Sequence, residues 1–385
     1  MKKDFRDVIL IVLYSLFLYA SAYSGKYDEY ITRRNIFFFA ILVVILLTYK
    51  NLKLTRLSYW KLWIGMSLII IISNFPESAS IGTKMAVVPI LYGVLLYDKN
   101  IIWNVSLSTL IVELIILYQS LSNNKIVFGF FYTGIYDNPN TFGASMAALF
   151  IAAVIMFVLS DQLIAKIFFV VIAFAGFYYE LLSFCRSALL TSIVILFMFA
   201  YMNKDKLLKH RNILIALVLI ATVILMLFIN KYDSVIEFIR SHVYKWGESS
   251  ASTLSSSRVE MWEYVFRNLT LLGTTPAFAP HSNYVMVFYD YGAIAGFLYI
   301  LFCILVLFNY IRKSKENESK AQRVACIILM ITYICMGLFE ESFGFTGKEW
   351  MFLGYIGYGY AINRLLVLAP EHHKIRFEVG KGNYL

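Results

Sequence analysis

Charged residues are scarce in this sequence. Only 15% of its 385 residues are Asp, Glu, Lys or Arg, and 60% are apolar, whereas a soluble domain carries about 25% charged residues. A water-soluble fold of this size could not bury so much apolar surface. The composition excludes an ordinary soluble enzyme and predicts one membrane-embedded domain over residues 1–385.

Cysteine and histidine are also scarce. The four cysteines lie in or beside apolar segments, with no CxxC pair and no histidine at ligand spacing. Cysteines of this kind are typical of small apolar core residues, so the sequence predicts no disulfide framework, no metal site and no cofactor. The acidic pairs Asp28–Glu29 and Glu340–Glu341 leave a divalent cation open, but nothing in the sequence fixes their geometry.

Basic residues exceed acidic ones, which gives a net charge of +10. In a soluble protein this excess would favour a nucleic-acid partner, but in a membrane protein basic residues collect in cytoplasmic loops. Here they concentrate in the short loops on the side that holds the N-terminus. The pattern therefore predicts a multi-pass protein with both termini in the cytoplasm and no nucleic-acid partner.

Apolar runs long enough to cross a bilayer recur along the whole chain. Because unpaired backbone groups are costly in hydrocarbon and barrel-type alternation is absent, these runs are predicted to be helices. We predict an all-α polytopic membrane protein with about twelve transmembrane helices, at 7–23, 34–49, 60–76, 82–97, 101–118, 141–159, 163–182, 187–202, 212–230, 284–310, 323–340 and 348–367.

The boundary between the seventh and eighth spans is the weakest, because Arg186 alone interrupts the apolar stretch 163–202. A single span there would give eleven helices and would place the basic loops 203–211 and 311–323 outside. The positive-inside bias argues against that arrangement.

One large extracytoplasmic loop is predicted over residues 231–283. Its first part, 232–246, has apolar residues at helical spacing, and 247–257 is a Ser-rich linker. Ser257 and Glu260 then form a capping box that opens a second short helix, with Val259, Trp262, Phe266 and Leu269 on one side. Upstream, residues 137–141 form a turn before a helix, with Asn140 or Thr141 as its predicted N-cap.

Ionisable residues at membrane depth or in a structured outer loop are candidates for function, because burying them is costly. The set comprises Glu113, Glu180, Arg186, Arg240, Arg258, Glu260, Arg267, His281, Asp290, Glu340 and Glu341.

Two arginines and one histidine stand out in this set. Arg258, in the first turn of its helix, suits phosphate binding, or it is a solvated residue paired with an acid. Arg186 faces a polar cavity, or it extends to the headgroups. His281 precedes a membrane helix at the water boundary and suits proton abstraction from a sugar hydroxyl, or it is an interfacial histidine without a chemical task.

Four segments in order resemble the bacterial O-antigen ligase and repeat-unit polymerase superfamily. They are Asn138-Pro139-Asn140 with Gly143, "SFCRSALL" from Ser183, "SSRVEMWEYVFRNLTLLG" within the loop, and "PHSNYVMVFYDYGAIAGF". The resemblance spans about residues 138–297 and agrees with the predicted helix number. One departure is that Ser282 separates His281 from Asn283, where the family often has His directly followed by Asn.

The resemblance implies a GT-C-like fold and a metal-independent glycosyltransferase of the bacterial cytoplasmic membrane. Its donor would be an undecaprenyl-pyrophosphate-linked oligosaccharide, held by Arg186 and Arg258, with His281 as the activating base. Residues expected to bind or support the substrate are Asn140, Arg240, Glu260, Arg267 and Asn283.

Three functions stay open. A polymerase would join lipid-linked repeat units into O-antigen or capsule, with membrane lipid, a flippase and chain-length regulators as partners. A ligase would use the same donor but transfer the glycan to lipid A core. A transporter for these lipids would show two similar halves and smaller outer loops, which the sequence lacks. We favour the polymerase, because the compact loop and short tails offer no separate platform for lipopolysaccharide.

Overall fold

The computed structural model describes residues 5–24, 27–48, 60–73, 79–96, 98, 100–123, 125–127, 131–203, 258–273, 280–314, 319–340 and 349–367. Of this part of the chain 87% is helical. The helices are α1 (Phe5–Tyr23), α2 (Asp28–Thr48), α3 (Lys61–Ser73), α4 (Ala79–Leu95), α5 (Ile101–Asn123), α6 (Pro139–Leu159), α7 (Leu163–Ser183), α8 (Arg186–Met202), α9 (Arg258–Arg267), α10 (Asn283–Lys313), α11 (Lys320–Phe339) and α12 (Glu349–Val367). A two-stranded antiparallel hairpin, β1 (Ile126–Val127) and β2 (Phe131–Tyr132), follows α5.

The protein is an all-α membrane protein. Seven described helices, α1, α2, α5, α6, α7, α10 and α11, are long and apolar enough to cross a bilayer, and α3, α4 and α8 are shorter apolar helices. Large apolar side chains that are more than two-thirds exposed, such as Phe39, Ile164, Phe174 and Phe197, fit a lipid-facing surface. The predicted span at 212–230 and the segment 232–257 lie outside the described residues, and the number of twelve spans stays a prediction.

Helix α6 is the central helix of the bundle. It packs against α5, α7, α8 and α11. Of the residues in its most apolar 18-residue stretch, 83% are buried. Its inner part is rich in small residues, including Gly143, Ala147 and Ala148, which let neighbouring helices approach closely. Its N-cap is Asn138, whose side chain accepts from the Asn140 backbone N–H, and Pro139 is the first helical residue. The predicted N-cap at Asn140 or Thr141 was therefore wrong by two or three residues, because proline favours the first helical position.

An aromatic cluster joins α3, α10, α11 and α12. The fully buried Trp63 ring meets Tyr299, Phe302 and Tyr355 edge-on. The hydroxyl groups of Tyr299 and Tyr333 are hydrogen-bonded at 2.6 Å, and the Trp63 indole N–H donates to the Met85 carbonyl at 2.8 Å. These polar atoms are satisfied inside the protein, as burial requires.

Helix α10 bends sharply at Gly292, which has φ 90° and ψ 173°. The chain just after α9 enters this bend, where the Ala293 N–H donates to the Thr270 carbonyl at 2.9 Å. A Cβ atom on Gly292 would lie 2.3 Å from the Leu271 carbonyl oxygen and 2.4 Å from the Gly273 nitrogen. The bend therefore needs glycine both for its positive φ and for the close backbone contact, and it fixes the end of α9 against α10.

We predict that Gly292→Ala lowers the free energy of unfolding by more than 1 kcal/mol, because the new methyl group meets backbone atoms and the positive φ is strained. Thermal unfolding in detergent measures the effect. Gly65→Ala is the matched control, since its Cβ would make only an ordinary contact, 3.6 Å from Leu298 Cδ1. Equal melting temperatures for the two variants would contradict the prediction.

A buried polar cluster lies between the start of α1 and the connection from α4 to α5. Asp98, which is 1% exposed, accepts from the Asn100 backbone N–H at 3.0 Å and from Asn104 Nδ2 at 2.9 Å. Asn100 Nδ2 donates to Asp7 Oδ2 at 2.8 Å, and Arg6 pairs with Asp7 at 3.4 Å. Burial raises the pKa of Asp98 from 3.8 to about 6, partly offset by the two asparagine hydrogen bonds.

This raised pKa predicts a pH-dependent stability. Because the folded protein holds the Asp98 proton to higher pH than the unfolded chain, the stabilisation is complete below about pH 4 and is lost as the pH rises through about 6. The loss is on the order of 1–3 kcal/mol, at about 1.4 kcal/mol per pKa unit. Thermal unfolding between pH 4 and 7 measures it.

Asp98→Asn is the matched variant, because the Asn104 amide can turn and accept from the new side chain. We expect the variant to lack the fall in stability that wild type shows between pH 4 and 6. An identical fall in both proteins would show that other groups cause it.

Candidate functional site

Two helix N-termini and the end of a third helix meet at one cavity. Arg186 is the first residue of α8, Arg258 is the first residue of α9, and Phe339 is the last residue of α11. The cavity measures about 200 Å³ and is lined by Arg186, Ser187, Leu190, Arg258, Val259, Trp262 and Phe339. It therefore combines two guanidinium groups with an apolar wall.

The position of Arg186 follows from the break between α7 and α8. Phe184 ends α7 in the left-handed conformation, with φ 57°, and the Cys185 N–H donates to Ser183 Oγ at 3.2 Å. A backbone group that the broken helix would leave unpaired is thus satisfied by a neighbouring side chain, as burial requires. The break confirms that the stretch 163–202 forms two helices rather than one.

Gly143 of α6 makes this break possible. A Cβ atom there would lie 2.2 Å from Cys185 Cβ and 2.5 Å from Ser183 Oγ. The Cys185 thiol also contacts the Asn140 carbonyl oxygen, with the two atoms 3.6 Å apart. Two segments that are distant in sequence, both part of the family resemblance, are therefore packed directly against each other.

Helix α9 is held against α10 and α11 by one side. Trp262, one turn beyond Arg258, donates its indole N–H to the Pro280 carbonyl at 2.9 Å, and its ring stacks on Phe339 with centroids 6.5 Å apart. Val265 is fully buried against Val285 and Tyr289. The predicted apolar side of this helix was partly wrong, since Val259, Phe266 and Leu269 are exposed and Val265 takes the buried position.

The two arginines act on each other electrostatically. Both are partly buried. Burial lowers the pKa of Arg186, and the positive charge of Arg258 lowers it further. Arg258 Nε is buried and has no hydrogen-bond partner within the part of the chain that the structure describes. Like charges at one partly desolvated cavity favour an anion between them, because an anion offsets the repulsion and supplies acceptors.

A buried carboxylate lies behind the cavity wall. Ser187 Oγ donates to Glu340 Oε1 at 3.1 Å, and both residues are buried. The Cys185 sulfur is 3.3 Å from the same serine oxygen. Glu340 directly follows the cavity residue Phe339, so the carboxylate joins the start of α8 to the end of α11.

His281 lies beside the cavity but does not line it. It is exposed and has a left-handed backbone, with φ 53°. It follows Pro280, whose carbonyl accepts a hydrogen bond from the Trp262 indole. It precedes Ser282, whose side chain caps α10 by accepting a hydrogen bond from the Val285 N–H. Strained residues of this kind cluster at functional sites, which leaves the prediction of a catalytic His281 open.

The predicted substrate-binding residues that the structure describes do not line this cavity. Glu260 is exposed, and Arg267 is exposed and paired with Glu263. Asn283 is fully buried, with its amide nitrogen next to Gly337. Asn140 is half-buried. Its backbone carbonyl contacts the thiol of Cys185, which precedes the cavity residue Arg186 in the chain. Arg240 lies outside the described residues.

Two contributors to the site, Cys185 and Trp262, were not predicted as site residues, and the place of a third was not predicted. Cys185 was interpreted as an apolar core residue, whereas its thiol contacts the cavity residue Ser187. Trp262 was assigned only to the apolar side of its helix, although its spacing of four residues from Arg258 could have signalled a shared face. Glu340 was named among the ionisable candidates and in an acidic pair, but its contact with Ser187 was not predicted. In the described ranges no group of three or more His, Cys, Asp or Glu side chains could hold a metal ion.

No model of a known protein family matches the chain, and no curated protein sequence matches it. The class of protein is therefore defined by the fold and the site alone. It is an all-α membrane protein with a two-arginine cavity where the ends of several helices meet.

We predict that Trp262→Phe weakens the docking of α9, because the phenyl ring can still contact Phe339 but cannot donate to Pro280. The lost hydrogen bond costs about 0.5–1.5 kcal/mol and should speed amide hydrogen exchange across α9 in detergent micelles. Met261→Leu, a swap of similar volume on the same helix, is the control. Unchanged exchange in Trp262→Phe would show that the indole bond does not hold the helix.

Proposed function

We propose that this protein is a bacterial polysaccharide polymerase. In this proposal it joins undecaprenyl-pyrophosphate-linked oligosaccharide repeat units into O-antigen or capsule at the outer face of the cytoplasmic membrane. The observation that carries the proposal is the cavity in which Arg186 and Arg258, from two separate helices, meet an apolar wall.

Two features of the cavity favour a diphosphate. Each arginine is the first residue of its helix, where the positive end of the helix dipole favours an anion. A guanidinium group adds paired donors that match phosphate oxygens. Two such helix starts at one cavity are suited to two linked phosphates, and Arg258 Nε is a donor that such a ligand could satisfy.

The apolar wall favours a lipid-linked or sugar-linked diphosphate over a free one. Leu190, Val259, Trp262 and Phe339 border the two arginines, and an aromatic or aliphatic surface suits a polyprenyl chain or the apolar face of a sugar ring.

The chemistry needs little beyond charge neutralisation. The anomeric carbon of the donor sugar loses its bond to the diphosphate, and the leaving electron pair is stabilised by the two arginines. The acceptor hydroxyl then forms the new glycosidic bond and loses its proton. The family resemblance gives His281 the role of activating base, and it gives Asn140, Arg240, Glu260, Arg267 and Asn283 supporting roles, all of which stay predictions.

The test is product length on a gel. Purified protein in liposomes receives the undecaprenyl-diphosphate repeat unit extracted from the source cells, without nucleotide or added metal. We expect a ladder of polymer from wild type and at least a 100-fold lower rate from Arg186→Ala and Arg258→Ala. Lysine at either position should restore only part of the rate, because it keeps the charge but loses the paired donors.

Arg33→Ala is the matched control. Arg33 is exposed on α2 and pairs with surface-exposed Glu29 at 3.3 Å, an ion pair of small energetic value. Its ladder should equal that of wild type. Transfer to lipid A core without a ladder would identify a ligase, and lipid movement across the bilayer without any transfer would identify a transporter and overturn the proposal.

A further inference from the structure

The Ser187–Glu340 pair is placed where an acceptor hydroxyl group would lose its proton. Ser187 lines the cavity next to Arg186, and its hydroxyl donates to the Glu340 carboxylate at 3.1 Å. Glu340 itself is not part of the lining. Ser187 thus links the inside of the cavity to this carboxylate.

Both side chains of the pair are buried and held in fixed positions, so a proton can pass between them. Ser187 is 5% exposed and Glu340 is 7% exposed, so bulk water competes little for their hydrogen bond. Glu340 is held in place because its own backbone N–H closes the last turn of α11 at Met336 O, 2.9 Å away. Ser187 is held by its position in the first turn of α8. A fixed carboxylate within hydrogen-bond reach is the arrangement that general-base catalysis needs.

The geometry points to Ser187 and Glu340 as a proton relay for the acceptor sugar in the transfer reaction. This inference rests on the proposed function and gives the proton to this pair rather than to His281. The acceptor hydroxyl oxygen bonds to the anomeric carbon of the donor as the bond to the diphosphate breaks. Its proton passes to Ser187 Oγ, while the serine proton passes to Glu340 Oε1, and the leaving electron pair goes to the diphosphate held by the arginines.

The relay differs from the role that the family resemblance gives to His281. That histidine is exposed and does not line the cavity, whereas Ser187 does. Glu340 acts through Ser187 and is therefore a positioning residue that stores the proton, and Ser187 is the group that touches the acceptor.

A purely structural role is the competing explanation, since the bond also ties α8 to α11. Glu340→Gln separates the two explanations. Glutamine keeps the shape and a carbonyl oxygen that accepts from Ser187, but it cannot take a proton. A structural tie would survive this change, and a relay would not.

The experiment measures the initial rate of glycan transfer against pH, with the repeat unit used above at saturating concentration. Wild type should show a rate that rises with pH, because only a deprotonated base can accept the proton of the acceptor. We expect Glu340→Gln to lose at least 100-fold in rate, within the range typical of a missing general base, and to lose this rise. Ser187→Ala should show the same two changes, which keeps the inference testable if Glu340→Gln does not fold.

Binding of undecaprenyl diphosphate to the purified variants, measured by tryptophan fluorescence, separates this inference from the proposed function. Glu340→Gln and Ser187→Ala should bind it within about threefold of wild type, and Arg258→Ala should not. Transfer by Glu340→Gln or Ser187→Ala at the wild-type rate, or with an unchanged pH profile, would overturn the relay alone. A wild-type protein that neither binds this lipid nor transfers glycan would overturn the proposed function and the relay with it.

Discussion

The organisation of this protein depends on one constraint, that backbone N–H and C=O groups inside a membrane must find partners within the protein. Continuous helices satisfy this constraint automatically, and breaks in them need special support. The chain breaks its apolar helices where other residues supply that support. In the turn between α7 and α8, the Ser183 hydroxyl accepts a hydrogen bond from the Cys185 N–H. At the bend of α10 near Gly292, the Thr270 carbonyl accepts a hydrogen bond from the Ala293 N–H.

These supported breaks also create the site. The turn at Phe184 allows a new helix to begin with Arg186 at its first position. The bend at Gly292 receives the chain that leaves α9, so Arg258 at the other end of α9 is held near Arg186. The positive ends of two helix dipoles are thus gathered at one cavity together with two guanidinium groups.

The cavity keeps like charges close, and packing provides the energy for this. The stack of Trp262 on Phe339 and the burial of Val265 hold α9 in place, although the arginines repel each other. An anion would remove that repulsion, and an arrangement formed before the ligand arrives is what electrostatic catalysis requires. The buried pair of Ser187 and Glu340 adds a carboxylate near the cations without occupying their cavity.

Hydropathy alone predicted the helices well, because the length of an apolar run and the need for internal hydrogen bonds leave few alternatives. Eleven of the predicted segments correspond to described helices, including the uncertain division at Arg186. Arg186 and Arg258 were singled out because a cation in an apolar setting is costly, and they do line one cavity. Helix ends were less predictable, as the N-cap at Asn138 shows, since proline and asparagine compete over a few residues.

By itself, then, the sequence determined that the chain is a helical membrane protein and which rare charges stand out in it. Only the tertiary structure decided which of these charges meet. Arg186 and Arg258 line one cavity with Phe339, and Ser187 contacts Glu340. These residues are 72 to 153 positions apart in the sequence. Arg267, in contrast, pairs with Glu263 on its own helix. Periodicity gives the face of one helix, but contact between helices depends on small residues such as Gly143 and on bends such as that at Gly292, whose effects appear only when the chain is packed.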